Sequence, residues 1–248
     1  EWHVMPKACF RGVMLTNSTP ISMADKKIKL GLIGARINGQ AGVVLDVLSH
    51  FKNIEVVAFF DNTAELKGSY INGIPVVGCI DSASEDSLTD IDMFHISIGD
   101  NRARLELYRK LKKRGFSFLT IVHPTAVVSK TAKIYEGCFI GAQAVVQNNS
   151  IVSNVSLINT AAVIEHDNEI GEAVHVAPRA CTAGRVKIGN MSFIGIGAVI
   201  IPDIVIGGLS FIAAGALITK DVSDQTMMIG YSAKLHKTNI YTEINEDL

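Results

Sequence analysis

The chain has 248 residues, 48% of them hydrophobic, and its 23 basic and 24 acidic side chains leave a formal net charge of −1. So even a balance, with no basic stripe, argues against nucleic-acid or anionic-membrane partners, and no apolar run reaches the roughly 18 residues of a membrane span. Cys9, Cys79, Cys138 and Cys181 lie far apart without a CxxC pair, which excludes a metal knuckle and suits a reducing cytoplasm.

Residues 1–22 lack the charged start, apolar middle and small-residue cleavage site of a leader, and the sequence restarts plausibly at Met23. They read as a tag, vector remnant or loose extension outside the fold. Residues 23–119 then alternate strand and helix. "KIKLGLIGA" (27–35) is an apolar run closing on glycine, as in a buried parallel strand. "GQAGVVLDVLSHF" (39–51) sets Val43, Val44, Val47, Leu48 and Phe51 on one helical face. "IEVVAFFDN" (54–62) and "DMFHISIGDN" (92–101) are further strands, and "RARLELYRKLKKRG" (102–115) is a helix with a basic last turn and a glycine stop. This alternation predicts a small Rossmann-like α/β domain whose ligand lies beyond the carboxyl ends of a parallel sheet.

Three loops fall at those ends. "GARINGQAG" (34–42) opens a helix whose amides can receive a phosphate, although it is no GxGxxG and a tight turn would also need its glycines. Asp61 and Asn62 are placed to accept hydrogen bonds from a base or ribose, or simply end a strand in solvent. At Gly99 the missing side chain lets a ligand approach the backbone.

From Val122 to Ile218, every sixth residue is Ile or Val in sixteen of seventeen cases, the exception being Thr182, and no insertion breaks the count. Two residues earlier the side chain is usually small, as at Ala126, Cys138, Ala144, Ser156 and Ala180. Neither a helix, with its period of about 3.6, nor an alternating strand requires this beat. A hexapeptide β-helix does. Residues 120–222 are therefore expected to form an all-β parallel β-helix, followed by a tail over 223–248.

The segments "GARINGQAGVVLDVL", "VVAFFDN", "INGIPVVG", "ISIGDNRAR", "IVHPTAVVS" and "LINTAAVIEHDNEIGEAVHVAPRACTAGRVKIG" occur in this order. Together with the repeat, over residues 27–236, they resemble bacterial sugar acetyltransferases of the left-handed β-helix superfamily. The similarity is to sialic acid O-acetyltransferases and to UDP-amino-sugar N-acetyltransferases of the bacillosamine type. It implies acetyl-CoA as co-substrate, no metal, a nucleotide-sugar held by the first domain, and CoA held between subunits of a homotrimer. By motif, His166 would be the general base with Asp167 beside it, and His175 would lie near the thioester. Gly184, Ile196 and Val205 would touch CoA, while Asn38, Gly39, Gln40, Asp61, Asn62, Gly99 and Asn159 would hold the sugar substrate. Lys220 and Lys234 are among the candidates for the CoA phosphates. The first loop departs from the common form, with Gln40 where histidine is usual, and "GYSAK" (230–234) replaces a frequent "GxPAK".

His166 and His175 lie nine residues apart, half of a three-hexapeptide coil, and so project from opposite sides of one prism. The resemblance to a trimer then implies a site shared between His166 of one subunit and His175 of its neighbour. Rival readings are O-acetylation of sialic acid, N-acetylation of a GDP- or TDP-amino-sugar, and a non-catalytic trimeric scaffold. A zinc enzyme would need three converging histidines, and only two lie in suitable coils.

Overall fold

A computed structural model describes residues 14–15, 27–230 and 234–238. The first unit contains β1 (Ile28–Ile33), α1 (Gln40–Leu48), β2 (Ile54–Phe60), β3 (Tyr70–Ile71), β4 (Ile74–Gly78), α2 (Glu85–Thr89), β5 (Met93–Ile96) and α3 (Asn101–Lys113). Its sheet runs β3-β4-β2-β1-β5, and only the β3–β4 pair is antiparallel. The chain moves outward from β1 through β2 to β4 and then returns to the other side of β1 as β5. Strand order thus reverses between β1 and β5, and the carboxyl ends of those strands flank the crevice where such sheets receive ligands.

After Phe118 bridges to Phe94 at the sheet edge, the chain enters a parallel β-helix. Each coil contributes one short strand to each of three faces. The first face stacks Thr120–Val122, Phe139–Ile140, Leu157–Ile158, His175–Val176, Phe193–Ile194 and Phe211–Ile212. The second stacks Val127–Val128, Val145–Val146, Val163–Ile164, Cys181–Thr182, Val199–Ile200 and Leu217–Ile218; the third runs from Lys133–Ile134 to Val205–Ile206. The sixfold Ile/Val series points inward as one core from Val122 to Ile218, and Thr182 is buried with it. Thr182 fits because its hydroxyl donates to the Val163 carbonyl at 3.4 Å, so no polar atom is stranded. The small residues two positions earlier sit where the prism narrows.

Corners between faces carry left-handed residues, among them Asn149, Val155, Asp167, Ala173, Arg185, Met191 and Asp203, with φ between 50° and 64°. Non-glycine side chains rarely adopt this conformation, and coil-to-coil hydrogen bonds hold them there.

The two units share their cores. Outward-pointing Ile121, Phe139 and Leu157 of the first face join Leu30, Leu32, Val44 and Phe59 of the α/β unit in one cluster. The segment 1–22, expected outside the fold, contributes at least Met14–Leu15, which pairs in parallel with Thr120–Ile121. The first rung leaves a row of unpaired backbone groups, and an extended segment satisfies them. The remainder of 1–22 lies outside the described residues, as does 239–248 of the tail.

His95, on β5, is fully buried. Its Nδ1 lies 2.9 Å from the Leu119 carbonyl, and its Nε2 has no partner. Burial, aided by the Arg104 charge and opposed by the Leu119 bond, pushes its pKa down to about 4. The folded protein therefore binds this proton less readily than the unfolded chain, so the stabilisation is complete above about pH 6.5 and is lost as pH falls toward 4. Urea midpoints are expected to fall between pH 7 and pH 5, at up to about 1.4 kcal/mol per pH unit from this group. A His95→Gln variant should lose less over the same interval, and equal losses would remove His95 as a source.

Candidate active site

The corner between the second and third faces carries His166 and Asp167. Their side chains would diverge in a continuous strand. The left-handed backbone at Asp167, with φ 58°, instead turns its carboxylate to the His166 ring, Oδ2 lying 2.8 Å from Nδ1. One coil earlier, Asn149 Nδ2 donates to Asp167 Oδ1 at 3.0 Å. The bond from His166 first, and then that from Asn149, hold the Asp167 carboxyl below its usual range. One coil later, Arg185 and Asp203 form a bidentate pair at 2.6 and 2.8 Å. Four successive coils thus stack a polar column, and His166 hooks into it.

The imidazole lies over Gly184. A Cβ built there would meet His166 Cε1 at 2.5 Å and Nε2 at 2.6 Å. The turn beneath is fastened by Asn168, whose Nδ2 donates to the Glu165 and Ala183 carbonyls at 2.6 and 2.9 Å, and by Ser150 Oγ, which donates to Glu165 at 2.6 Å. Nδ1 is thereby committed to the carboxylate, while the ring keeps nearly half its surface open, so its Nε2 is the nitrogen left to exchange a proton with a ligand.

His175 lies on the first face, where the α/β unit covers it. Its Nε2 is 3.3 Å from Asn159 Nδ2, and its ring meets Phe193 edge-on at 5.0 Å. Burial and then the Arg104 charge push its pKa down to about 4, against an opposing bond to the Gly99 backbone. It is a neutral imidazole at physiological pH. Beside it, Gly99 and Asp100 of the β5–α3 loop face Phe193 and Phe211 across a cavity of about 180 Å³. The two phenyl rings are stacked at 5.0 Å.

The remaining predicted residues gather at the crevice of the sheet or stay apart. Gly39 caps α1, and Asn38 is exposed beside it, while Gln40 keeps a buried Nε2 without a partner. Asp61 accepts from the backbone of Ala35 at 2.7 Å and of Thr63 at 2.8 Å. Burial would raise its pKa, but a bond from the Thr63 side chain, then the two backbone bonds and the Arg36 charge, outweigh it and the net direction is down. Asp61 therefore ties the β1 and β2 loops together, and Asn62 is the exposed member of the pair. Ile196 is 58% exposed at the corner between the first and second faces, whereas Val205 lies on the third face. Within one chain, Gly184, Ile196 and Val205 do not converge, nor do His166 and His175.

Sequence reasoning missed Asn149, Asn168, Asn101 and Arg104. Arg104 had a signal: it shares the helical face of Tyr108 and Leu111, an apolar stripe with no solvated place for a guanidinium.

The PglD N-terminal domain family matches residues 29–111, and the bacterial transferase hexapeptide (six repeats) family matches residues 185–220. Perosamine N-acetyltransferase from Caulobacter crescentus, solved in complex with CoA and GDP-perosamine, is 32% identical over 84% of this chain and 97% of that one, with a TM-score of 0.77. The acetyltransferase domain of PglB from Neisseria gonorrhoeae FA1090, solved with acetyl coenzyme A, is 30% identical over 85% of this chain and 100% of that one, with a TM-score of 0.76. A curated relative, GDP-perosamine N-acetyltransferase of Escherichia coli O157:H7, is 30% identical over 107 residues. That match spans 43% of this chain and about half, 48%, of the relative. Because it spans nearly the whole Caulobacter protein at 32% identity, the chain belongs to the sugar N-acetyltransferases of the hexapeptide, left-handed β-helix superfamily.

Proposed function

We propose that this protein transfers an acetyl group from acetyl-CoA to the 4-amino group of a nucleotide-linked amino sugar, with His166 as general base. The observation that supports it best is the His166–Asp167 pair at 2.8 Å, its ring seated over Gly184 with Nε2 turned away from the carboxylate. A sugar amine is largely protonated at neutral pH and must lose a proton before its nitrogen can attack. The imidazole of His166 accepts that proton, and the carboxylate fixes its tautomer. Acetyl-CoA supplies the activated acyl group. Among the described cysteines, Cys138 is buried with its thiol pushed up to about 12, first by that burial, and burial also raises the half-buried Cys181 thiol, so neither is a ready thiolate nucleophile. Direct transfer is therefore the mechanism proposed.

A cavity of about 400 Å³ at the end of the β-helix has Lys220 and Lys234 beside Leu235 and Met228. Cationic donors next to an apolar wall suit a ligand with phosphates and an apolar arm. The acceptor read from the sequence is a UDP-linked 4-amino-4,6-dideoxy-N-acetyl-hexosamine, used in bacterial glycan synthesis. A GDP-linked amino sugar is the second reading, favoured by the relatives crystallised with or named for GDP-perosamine. Names of N-acetyltransferases weigh against O-acetylation and against a pure scaffold.

The assembly proposed is a homotrimer. Outward residues of the second face, Val127, Val145, Val163, Cys181, Val199 and Leu217, form an apolar column, whereas the third face carries Lys133, Glu169 and Lys187. Val127, Val199 and Leu217 are 60%, 45% and 36% exposed in one chain, as expected of a surface that a second copy covers. Such packing brings His166 of one protomer toward the His175 face of the next. Among the described residues no helix is long and apolar enough to cross a membrane.

Thiol release from acetyl-CoA with UDP-, GDP- and TDP-linked amino sugars tests the reading; no release with any of them refutes it. His166→Ala should lower kcat by about 10²–10⁴-fold with the KM for acetyl-CoA little changed, and a full rate would exclude it as the base. Gly184→Ala should displace the ring and lower kcat by roughly tenfold or more while the melting temperature holds. In sedimentation equilibrium, Val163→Lys should yield monomers without activity; a trimer that tolerates the charge places the interface elsewhere.

A further inference from the structure

Arg104 is fully buried, yet among the described residues no carboxylate forms an ion pair with its guanidinium. Its five N–H groups are all used. Nε donates to the Val155 carbonyl at 2.6 Å; one terminal nitrogen donates to Ile98 and Gly99 at 2.9 and 3.1 Å. The other donates to Ala173 at 3.0 Å and to Asn101 Oδ1 at 2.8 Å. Asn101 in turn sends its amide to the Met191 and Ser192 carbonyls at 3.1 Å each. Val155, Ala173 and Met191 are left-handed corner residues one coil apart, so two side chains of α3 grip three consecutive coils by their backbone.

A buried cation held by carbonyls rather than by an ion pair is costly even when every donor is satisfied, and the nearby Asp100 charge offsets only part of that cost. Burial lowers the Arg104 pKa, but only to about 10, so the charge persists at neutral pH. Arg109 with Glu172 and Lys112 with Glu136 already tie α3 to the β-helix by ordinary ion pairs at 2.8 and 2.7 Å. What Arg104 adds is a joint between the Gly99 loop, at the sheet's crevice, and the coils that carry Asn159 and His175.

We propose that Arg104 and Asn101 are positioning residues that fix the Gly99 loop against the His175 face, so that an acceptor held by the α/β unit meets the acyl donor held by the β-helix. This rests on the acetyltransferase reading above. If the loop drifts by an ångström, each half-site still binds its own ligand, but the reacting groups no longer align.

The test separates binding from turnover. Asn101→Ala and Arg104→Met are compared with wild type in kcat, in the KM for acetyl-CoA and in the affinity for UDP or GDP alone, measured calorimetrically. Arg104→Met should lose about a hundredfold in kcat, and Asn101→Ala a smaller part of that, with nucleotide affinity and acetyl-CoA KM within about threefold of wild type. Wild-type kcat in Asn101→Ala overturns the proposal, and so does a parallel loss of both ligand affinities, which marks a merely structural role. Should Arg104→Met fail to fold, the Asn101→Ala result decides. Failure of the parent reading is a separate event, seen as a wild-type protein that acetylates none of the sugars.

Discussion

Every rung of the β-helix takes its backbone hydrogen bonds from the rungs above and below, as from Val163 N to Ala180 O and from Cys181 N to Ala198 O. This coil-to-coil bonding is the constraint from which the rest of the molecule follows. It forces each residue to sit over its counterpart one coil earlier, so that side chains form columns. The inward column is the Ile/Val core; its burial, at roughly 1.5–3 kcal/mol per branched side chain, holds the prism together. The outward columns are free to differ, and they do. One is polar and carries His166, one is apolar and open, and one joins His175, Phe193 and Phe211.

The same register explains why the α/β unit docks firmly. A helix side chain cannot easily find a regular array of unpaired acceptors on a protein surface, because sheets and helices consume their own. Corners of stacked coils are different: the left-handed residues turn carbonyls outward at a fixed spacing. Arg104 and Asn101 exploit that spacing, and the shared apolar cluster around Phe139 and Leu157 fills the space beneath. The first face is consequently an interior surface of the chain at Ile121, Phe139 and Leu157, while Phe193 and Phe211 farther along it line a cavity.

Much of this was legible before any coordinates. The sixfold beat announced the β-helix, and the strand–helix alternation announced the sheet, because both patterns record burial directly. His166, Asp167, His175 and Asn159 came from resemblance, not from spacing, and the structure pairs His166 with Asp167 and Asn159 with His175. Asp61 was legible as a strand-end acid but not as a brace between loops, since its partners are backbone amides of Ala35 and Thr63 with no sequence signature. Asn149 was invisible for a related reason. Its role depends on a residue in the next coil, and only the column view makes the two neighbours.

Columns also quantise how such a chain can change length. Excising one hexapeptide would leave the aliphatic beat intact, yet everything downstream would turn by a third of a revolution. His175 would leave the flank of the α/β unit for a different side of the prism, with its core undisturbed. Only whole coils can be gained or lost without scrambling which side faces what. Stability and chemistry in this architecture therefore obey two different arithmetics, one counting in sixes and the other in full circuits.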